Sequence, residues 1–190
     1  MQPRIRELLG YLDGQRAILR SAFEAVPPDL RDRLPAPSRW STAGVVEHLA
    51  LVGNRAAGRI ADRVAAARSE GCAAERSTDP VLPTLNLTRV LDRRVRVNAP
   101  EPLHPTGLDA SAAWAALERS SASVRQAVQS ADDLALATIT IVHPFLGEMS
   151  VYQYIANIGT HEARHAMQIH EIRSQLAICD SHGTVSSSQG

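Results

Sequence analysis

The chain has 190 residues with 20 basic and 20 acidic side chains, and its formal net charge is zero. This balance excludes broad attraction to nucleic acid or to an anionic membrane as the main mode of binding, and the length suits one domain with a substantial core. The cysteines, Cys72 and Cys179, lack metal-ligand spacing, and the amino terminus has no long apolar run. We therefore expect one cytoplasmic domain over residues 1–180 and a small-molecule substrate, with no nucleic acid or membrane as partner.

Four stretches carry apolar residues at helical spacing, and they cover about residues 3–25, 42–68, 112–130 and 151–178. Ser41 is a good N-cap for the second helix, and Asp109 or Ser111 serves the third. The fourth helix has the clearest start, because Ser150 and Gln153 form the pattern of a capping box. The sequence therefore predicts four long helices.

The helical spacing of apolar residues is lost between the second and third helices, from Gly71 to Gly107. In this segment prolines are frequent and the apolar stretches are short. A connection this long usually covers one end of a domain or lines a pocket. A short connector, "LATITIVHPFLGEMS", precedes the fourth helix, and hardly any alternating strand pattern occurs elsewhere. We predict an all-α four-helix bundle with 71–107 as its crossover, followed by a polar, mobile tail at 181–190.

The fourth helix contains "HEARHAMQIH", in which His161 and His165 are four residues apart and project from the same helical face. They lie on a stripe whose other members are mostly apolar, and buried imidazoles need a partner. His48 lies on a comparable stripe of the second helix, with Val52 and Arg55, and can meet the pair across a bundle. Three imidazoles would hold a divalent ion and leave a position open, whereas the alternative is hydrogen-bonded helix histidines.

"HEARH" also matches the zinc peptidase pattern, in which two histidines bind zinc and a glutamate activates water. The rest of that pattern is missing: no glycine lies between His165 and His170, and no glutamate follows Glu171. Glu162 lies about 100° around the helix from its neighbour His161. We therefore expect Glu162 to be an exposed or intersubunit carboxylate rather than a catalytic base.

The chain resembles the DinB-like superfamily of four-helix bundles, which includes bacillithiol transferases and thiol-dependent maleylpyruvate isomerases. The resemblance rests on three blocks in order: "WSTAGVVEHLALV" at 40–52, "VNAPEPLHPTG" at 97–107 and "HPFLGEMSVYQYIANIGTHEARHAMQI" at 143–169. It implies up-down-down-up connectivity and His48, His161 and His165 as metal ligands. It also implies that "HPFLGEMS" lies beside the open face of the metal, which makes His143 a pocket candidate.

These observations predict a metal-dependent enzyme with one divalent ion, zinc first and nickel, iron or manganese as alternatives. The reaction most in keeping with the resemblance is thiol transfer, with a low-molecular-weight thiol as cofactor; a metal-dependent hydrolase and a non-catalytic, stress-related metal-binding bundle are the alternatives. If His143 were a fourth ligand, the site would be closed and structural. A bundle with relic histidines and no metal also stays open.

Two further groups are candidates. Asn157 and Gln168, about one turn either side of the histidine pair, are candidates to orient the ligands or the substrate, and the alternative is that they simply face solvent. Arginines of the crossover, at positions 93, 94 and 96, would bind an anionic substrate or simply face solvent. A homodimer is also expected, since apolar helix faces can be buried between chains.

Overall fold

The computed structural model describes residues 1–92, 94 and 98–183, with side chains described as far as residue 177. Five α-helices and one β-hairpin make up the regular structure. In chain order, the elements are α1 (Pro3–Glu24), α2 (Thr42–Ser69), α3 (Thr88–Leu91), α4 (Ala110–Gln129), β1 (Thr140–His143), β2 (Gly147–Ser150) and α5 (Val151–Gly183). Within the described residues, no helix has both the length and the apolar composition of a membrane span.

The four long helices, α1, α2, α4 and α5, form a bundle in which α1 packs on α5 and α2 packs on α4. One apolar cluster joins the first half of α1 to the start of α5 and to the second halves of α2 and α4. A second cluster joins the end of α1 to the later part of α5 and to the first halves of α2 and α4. The helices therefore run up, down, down and up, which confirms the predicted four-helix bundle.

The predicted caps explain where three helices begin. The side chains of Ser41 and Asp109 accept hydrogen bonds from the backbone N–H groups of Gly44 and Ala112. Ser150 Oγ likewise accepts a hydrogen bond from Gln153 N at 3.2 Å. The other half of the capping box does not form, because the Gln153 amide bonds the crossover instead.

The crossover is more ordered than its composition suggests. It contains α3 and two 3-10 turns, and it lies along α5. The side-chain amide of Gln153 bonds the backbone N and O of Asn86, at 2.9 Å each. Further along α5, Arg164 Nη1 donates to the carbonyls of Val90 and Asp92 at 3.0 and 2.6 Å. These contacts hold the crossover on the helix that carries the histidine pair.

The short connector before α5 is a β-hairpin, which the sequence analysis did not predict. Strands β1 and β2 pair antiparallel, with Thr140 opposite Ser150 and His143 opposite Gly147. Burial alternates over four β-branched residues, Ile139 to Val142, which is the period of a strand. Gly147 closes the loop with φ of +81°, a conformation that glycine adopts without strain.

Two boundaries differ from the sequence predictions. Helix α5 continues to Gly183 rather than to Ile178, because no glycine or proline lies between these two residues. The first three residues of the expected mobile tail are therefore helical. The remainder, residues 184–190, lies outside the described residues, as do Arg93 and Arg96.

Candidate metal centre

The structure brings His48 of α2 together with His161 and His165 of α5. One ligand atom from each ring lies within 4.8 Å of the other two. Their ring centroids are 4.4 to 5.5 Å apart, and the rings are steeply inclined to one another. Among the described residues this is the one group of histidine, cysteine or carboxylate side chains arranged in this way. We call it the three-His cluster.

His48 is fixed by the end of the crossover. Its Nδ1 lies 2.8 Å from the carbonyl oxygen of Leu103, so Nδ1–H donates and the Nε2 lone pair is left for a ligand. The indole of Trp40 lies over the same ring at a centroid distance of 4.9 Å. His48 is 5 % exposed, which excludes a solvent-facing role.

His165 is oriented in the same manner by its own helix. Its Nδ1 lies 2.8 Å from Gln168 Oε1, and a neutral ring that donates from Nδ1 presents a lone pair on Nε2. That Nε2 lies 3.0 Å from Nε2 of His161. Either the His161 N–H donates to His165, or a cation replaces the proton between them. Gln168 thus contacts the cluster, as its position predicted.

The environment keeps all three rings neutral. Burial lowers the pKa of His161 to about 3, with a smaller contribution from the nearby His48. Burial, followed by the charges of His161 and His48, lowers the pKa of His165 well below its ordinary value. Burial also lowers the pKa of His48, although its bond to Leu103 opposes this. Metal ligation requires neutral imidazole, so the cluster is in the right protonation state near pH 7.

Glu47, the neighbour of His48, was not predicted as a site residue. Its buried carboxylate accepts hydrogen bonds from Thr106 Oγ1 and from the backbone N–H groups of Thr106, Gly107 and Leu108, at 2.7 to 3.1 Å. Burial by itself would raise the pKa of Glu47, but these bonds outweigh it and the pKa is lowered. Glu47 therefore anchors the crossover where it passes His48.

Glu162 is not exposed, so that expectation was wrong. The side chain is buried within the chain, where both carboxylate oxygens bind the guanidinium of Arg16 at 2.5 and 2.9 Å. Helix α1 covers the face of α5 that carries Glu162, because Gly159, one turn earlier, lets the two helices approach closely. The carboxylate therefore serves helix packing and does not reach the three-His cluster.

His143 lies near the cluster but is not part of it. Among the described residues, His143 is absent from the group whose ligand atoms converge. Its Nδ1 accepts hydrogen bonds from the backbone N–H groups of Phe145 and Leu146, each at 3.2 Å. Its ring centroid lies 6.1 Å from that of Tyr154. The placement leaves the three-His cluster without a fourth histidine.

The remaining candidates have other contacts. Asn157 is buried and bonds Gln153 Nε2 at 2.9 Å and Met149 Sδ at 3.2 Å, so its amide supports the hairpin and the crossover. Arg94 is exposed and pairs with Asp92 at 2.9 Å. These two residues therefore have structural partners. Of the two amide candidates, Gln168 contacts a histidine of the three-His cluster and Asn157 does not.

The donor set fits one divalent ion. Two imidazole nitrogens that share an ion at about 2.0–2.1 Å lie roughly 3 Å apart, and the His161 and His165 Nε2 atoms are separated by 3.0 Å. His48 and His165 each donate from Nδ1 to a fixed oxygen, the arrangement that orients imidazole ligands in metal proteins. His48, His161 and His165 are thus the residues able to hold the ion.

The chain was compared with known proteins. A family model described as the DinB superfamily matches residues 11–169, a range that includes all three histidines of the cluster. Comparison with curated proteins gave no match. Among solved structures, the chain is similar to the crystal structure of TT2238, a four-helix bundle protein, with a TM-score of 0.59 and 20 % identity over 88 % of this chain and 98 % of that one. The chain belongs to the DinB superfamily.

Proposed function

We propose that the protein is a metal-dependent enzyme of the thiol transferase type, with a single divalent ion, zinc in the first instance, held by His48, His161 and His165. The observation that carries the proposal is the convergence of three ligand atoms within 4.8 Å from two helices that are far apart in sequence. A bound ion would supply Lewis acidity, so that a thiol or a water on it loses its proton near neutral pH.

The chain's own residues set the geometry. Leu103 and Gln168 fix the rings of His48 and His165 through Nδ1, which leaves the Nε2 lone pair of each ring for a ligand. Three protein ligands leave room for a small molecule, as catalytic metal sites require. A purely structural site would want a fourth protein ligand, and no further histidine, cysteine or carboxylate joins the cluster among the described residues.

The position of Glu162 favours thiol transfer over peptide hydrolysis. Zinc hydrolases of the H-E-x-x-H type need the glutamate as a general base. Here both oxygens of Glu162 are engaged by Arg16. A thiol that is deprotonated on binding needs no such base. Hydrolysis by another route remains the alternative function and is distinguished by the reaction screen below.

Metal content per chain tests the site directly. Elemental analysis of tag-free protein should find about one transition metal per chain in the wild type and little in His48→Ala and His161→Ala. His170→Ala is the matched control, because His170 is exposed on the same helix, and it should keep the ion. A wild type that is free of metal and cannot be loaded, or a His48→Ala variant that keeps its ion, contradicts the proposal.

The reaction is tested on the loaded protein. Low-molecular-weight thiols are offered with an electrophilic acceptor, and thioether formation is compared with hydrolysis of esters and amides in the same preparation. Thioether formation that disappears in His161→Ala but persists in His170→Ala supports the transferase. Hydrolysis with the same dependence, and no thioether, assigns the site to a hydrolase.

A further inference from the structure

A second group of polar side chains lies between α2 and the hairpin, and its hydrogen-bonding capacity is largely unused. Arg59 of α2 donates from Nη1 to the carbonyl oxygen of Val142 at 3.2 Å. Neither Arg59 nor Arg55 forms an ion pair with a carboxylate among the described residues. Asp62 lies in the same surface groove as Arg59, but not within ion-pair distance. Most of the five donors of the Arg59 guanidinium are therefore available.

Tyr154 of α5 adds a hydroxyl to this group. The side chain is only 6 % exposed, and its hydroxyl oxygen lies in hydrogen-bonding contact with the Arg59 guanidinium, which leaves the O–H to donate. Burial raises the pKa of Tyr154, while the charges of Arg59 and Arg55 act in the opposite sense, which places both guanidinium groups near the phenol.

His143 supplies a third donor. Because its Nδ1 accepts the hydrogen bonds of Phe145 N and Leu146 N, the neutral ring carries its hydrogen on Nε2. That Nε2–H has no partner among the described residues. The ring lies 6.1 Å from the Tyr154 ring and close enough to Arg59 to feel its charge. We call Arg55, Arg59, His143 and Tyr154 the donor cluster.

The donor cluster lies on the same helix faces as the three-His cluster. Arg55 follows His48 by seven residues on α2, and Tyr154 precedes His161 by seven on α5. Because α2 and α5 run antiparallel, both residues are displaced in the same direction, by two turns or about 10 Å. His143 lies beside Tyr154, with ring centroids 6.1 Å apart, and so shares this side of the bundle.

We propose that the donor cluster binds a carboxylate group of the substrate whose reacting atom lies at the three-His cluster. The inference rests on the proposed function and adds the substrate class. A guanidinium binds a planar carboxylate with two parallel N–H bonds, and the Tyr154 hydroxyl and His143 N–H complete the set of donors. Neither arginine has a carboxylate partner among the described residues, and an anionic oxygen ligand would pair with a guanidinium and accept the hydrogen of the Tyr154 hydroxyl.

Binding of glutarate tests this inference without any assay of activity. Isothermal titration calorimetry measures glutarate against wild type, Arg59→Gln and Tyr154→Phe, with the neutral diamide of glutarate and inorganic phosphate as comparison probes. Arg63→Gln is the matched control: Arg63 lies one turn further along α2 and also bonds the hairpin, at Thr140 O, but its charge is paired with Glu70. Circular dichroism and metal content are measured for each variant.

We expect glutarate to bind and the diamide not to bind. Arg59→Gln should weaken glutarate binding about tenfold or more and Tyr154→Phe about threefold, whereas Arg63→Gln should change it less than twofold. All three variants should keep their metal content. Equal glutarate binding by wild type and Arg59→Gln, or an equal loss in Arg63→Gln, overturns the inference. Phosphate that binds as tightly as glutarate overturns the assignment to carboxylates.

The same titration on chelator-treated wild type and on His161→Ala separates this inference from the proposed function. Glutarate binding that persists without metal and still depends on Arg59 supports the donor cluster, whether or not the three-His cluster proves to bind a metal. Glutarate that binds only to metal-loaded protein, with no dependence on Arg59, is bound by the ion. That result refutes the donor cluster and leaves the proposed function standing.

Discussion

Gln168 Oε1 accepts a hydrogen bond from His165 Nδ1 at 2.8 Å, one turn further along the same helix. The pair is local in sequence, yet it decides which nitrogen of His165 faces His48 and His161. His48 is held in the equivalent way by a distant carbonyl, that of Leu103. One ligand is thus oriented by its own helix and the other by the crossover, and the two arrangements can be perturbed separately.

Gln168→Ala removes the acceptor that orients His165. We expect zinc affinity to fall about 10- to 100-fold with little change in folding, because the lost partner acts through the ligand. Competition with a chromophoric chelator measures the affinity. Gln175→Ala, an exposed position on the same helix, is the control and should bind zinc as the wild type does. A Gln168→Ala variant with unchanged affinity shows that the bond does not orient the ligand.

Glu47→Gln tests the anchor of the crossover. The amide of glutamine has one oxygen, so it cannot accept all the hydrogen bonds from Thr106, Gly107 and Leu108. Its NH₂ group would face N–H donors of the backbone, with which it cannot form hydrogen bonds. We expect a loss of about 2–3 kcal/mol in the free energy of unfolding, measured by urea denaturation, together with weaker metal binding, since Leu103 lies just before these residues. Glu101→Gln, an exposed change in the same segment, should have no measurable effect. Unchanged stability in Glu47→Gln contradicts the anchoring role.

Gly53 lies where α2 packs on α4, opposite Ser120. A Cβ atom there would lie 2.2 Å from Ser120 Oγ but 3.5 Å from Ser120 Cβ, which is an ordinary contact. Gly53→Ala should therefore lower the free energy of unfolding by about 1–3 kcal/mol. Adding Ser120→Ala should recover most of the loss.

Gly58 on the same helix is the matched control for this pair. A Cβ atom at Gly58 meets nothing within 4 Å, so Gly58→Ala should stabilise by up to about 1 kcal/mol through helix propensity. Thermal denaturation of wild type, Gly53→Ala, Ser120→Ala and the double variant forms a double-mutant cycle, with Gly58→Ala as its control. A double variant as unstable as Gly53→Ala alone would show that the serine hydroxyl is not the obstacle.

The buried carboxylate of Glu75 predicts a pH dependence of stability. Burial by itself would raise the pKa of Glu75, but hydrogen bonds from Ser77 N, Tyr152 OH and Arg4 outweigh it and the pKa lies below 4.5. A carboxylate whose pKa is lower in the folded chain stabilises above its unfolded pKa and loses that contribution as pH falls through the folded value. We expect wild type to exceed Glu75→Gln in stability at pH 7, with the difference shrinking below about pH 4.5.

Tyr152→Phe gives the matching change at the other end of this hydrogen bond. The Tyr152 hydroxyl donates to Glu75 Oε2 at 2.7 Å, so its removal should raise the pKa of Glu75 and move the acid loss of stability to higher pH. Urea denaturation from pH 3 to pH 7 measures both variants. A stability difference between wild type and Glu75→Gln that does not vary with pH contradicts the assignment.

The bundle was predictable from the sequence because its signals are local. Periodic apolar residues, together with Ser41, Asp109 and Ser150 at the caps, mark three helix starts within a few residues of where the structure has them. The meeting of His48 with the pair on α5 also followed from the two helix faces. Each of these inferences needs only helical geometry and the connectivity of a bundle.

The contacts that the sequence did not predict depend on tertiary packing. Whether Glu162 meets solvent or Arg16 is decided by which face of α5 α1 covers, and no periodicity encodes that choice. In the sequence, nothing distinguishes Glu47 from an ordinary helical glutamate. Its role depends on the crossover, which folds back onto it in the tertiary structure. The hairpin was missed because its alternation spans only four residues before Pro144.

The pairing of the first helix with the last sets the order in which the molecule can be completed. A chain emerging from the ribosome has α2 and α4 available to each other early, whereas α1 waits for α5. Until then the apolar residues of α1, such as Leu8 and Leu19, which are fully buried in the finished bundle, lack the helix against which α1 mainly packs. The nascent chain thus exposes the apolar face of α1 until α5 has been synthesised. Helix α5 supplies both the packing partner of α1 and two of the three histidines.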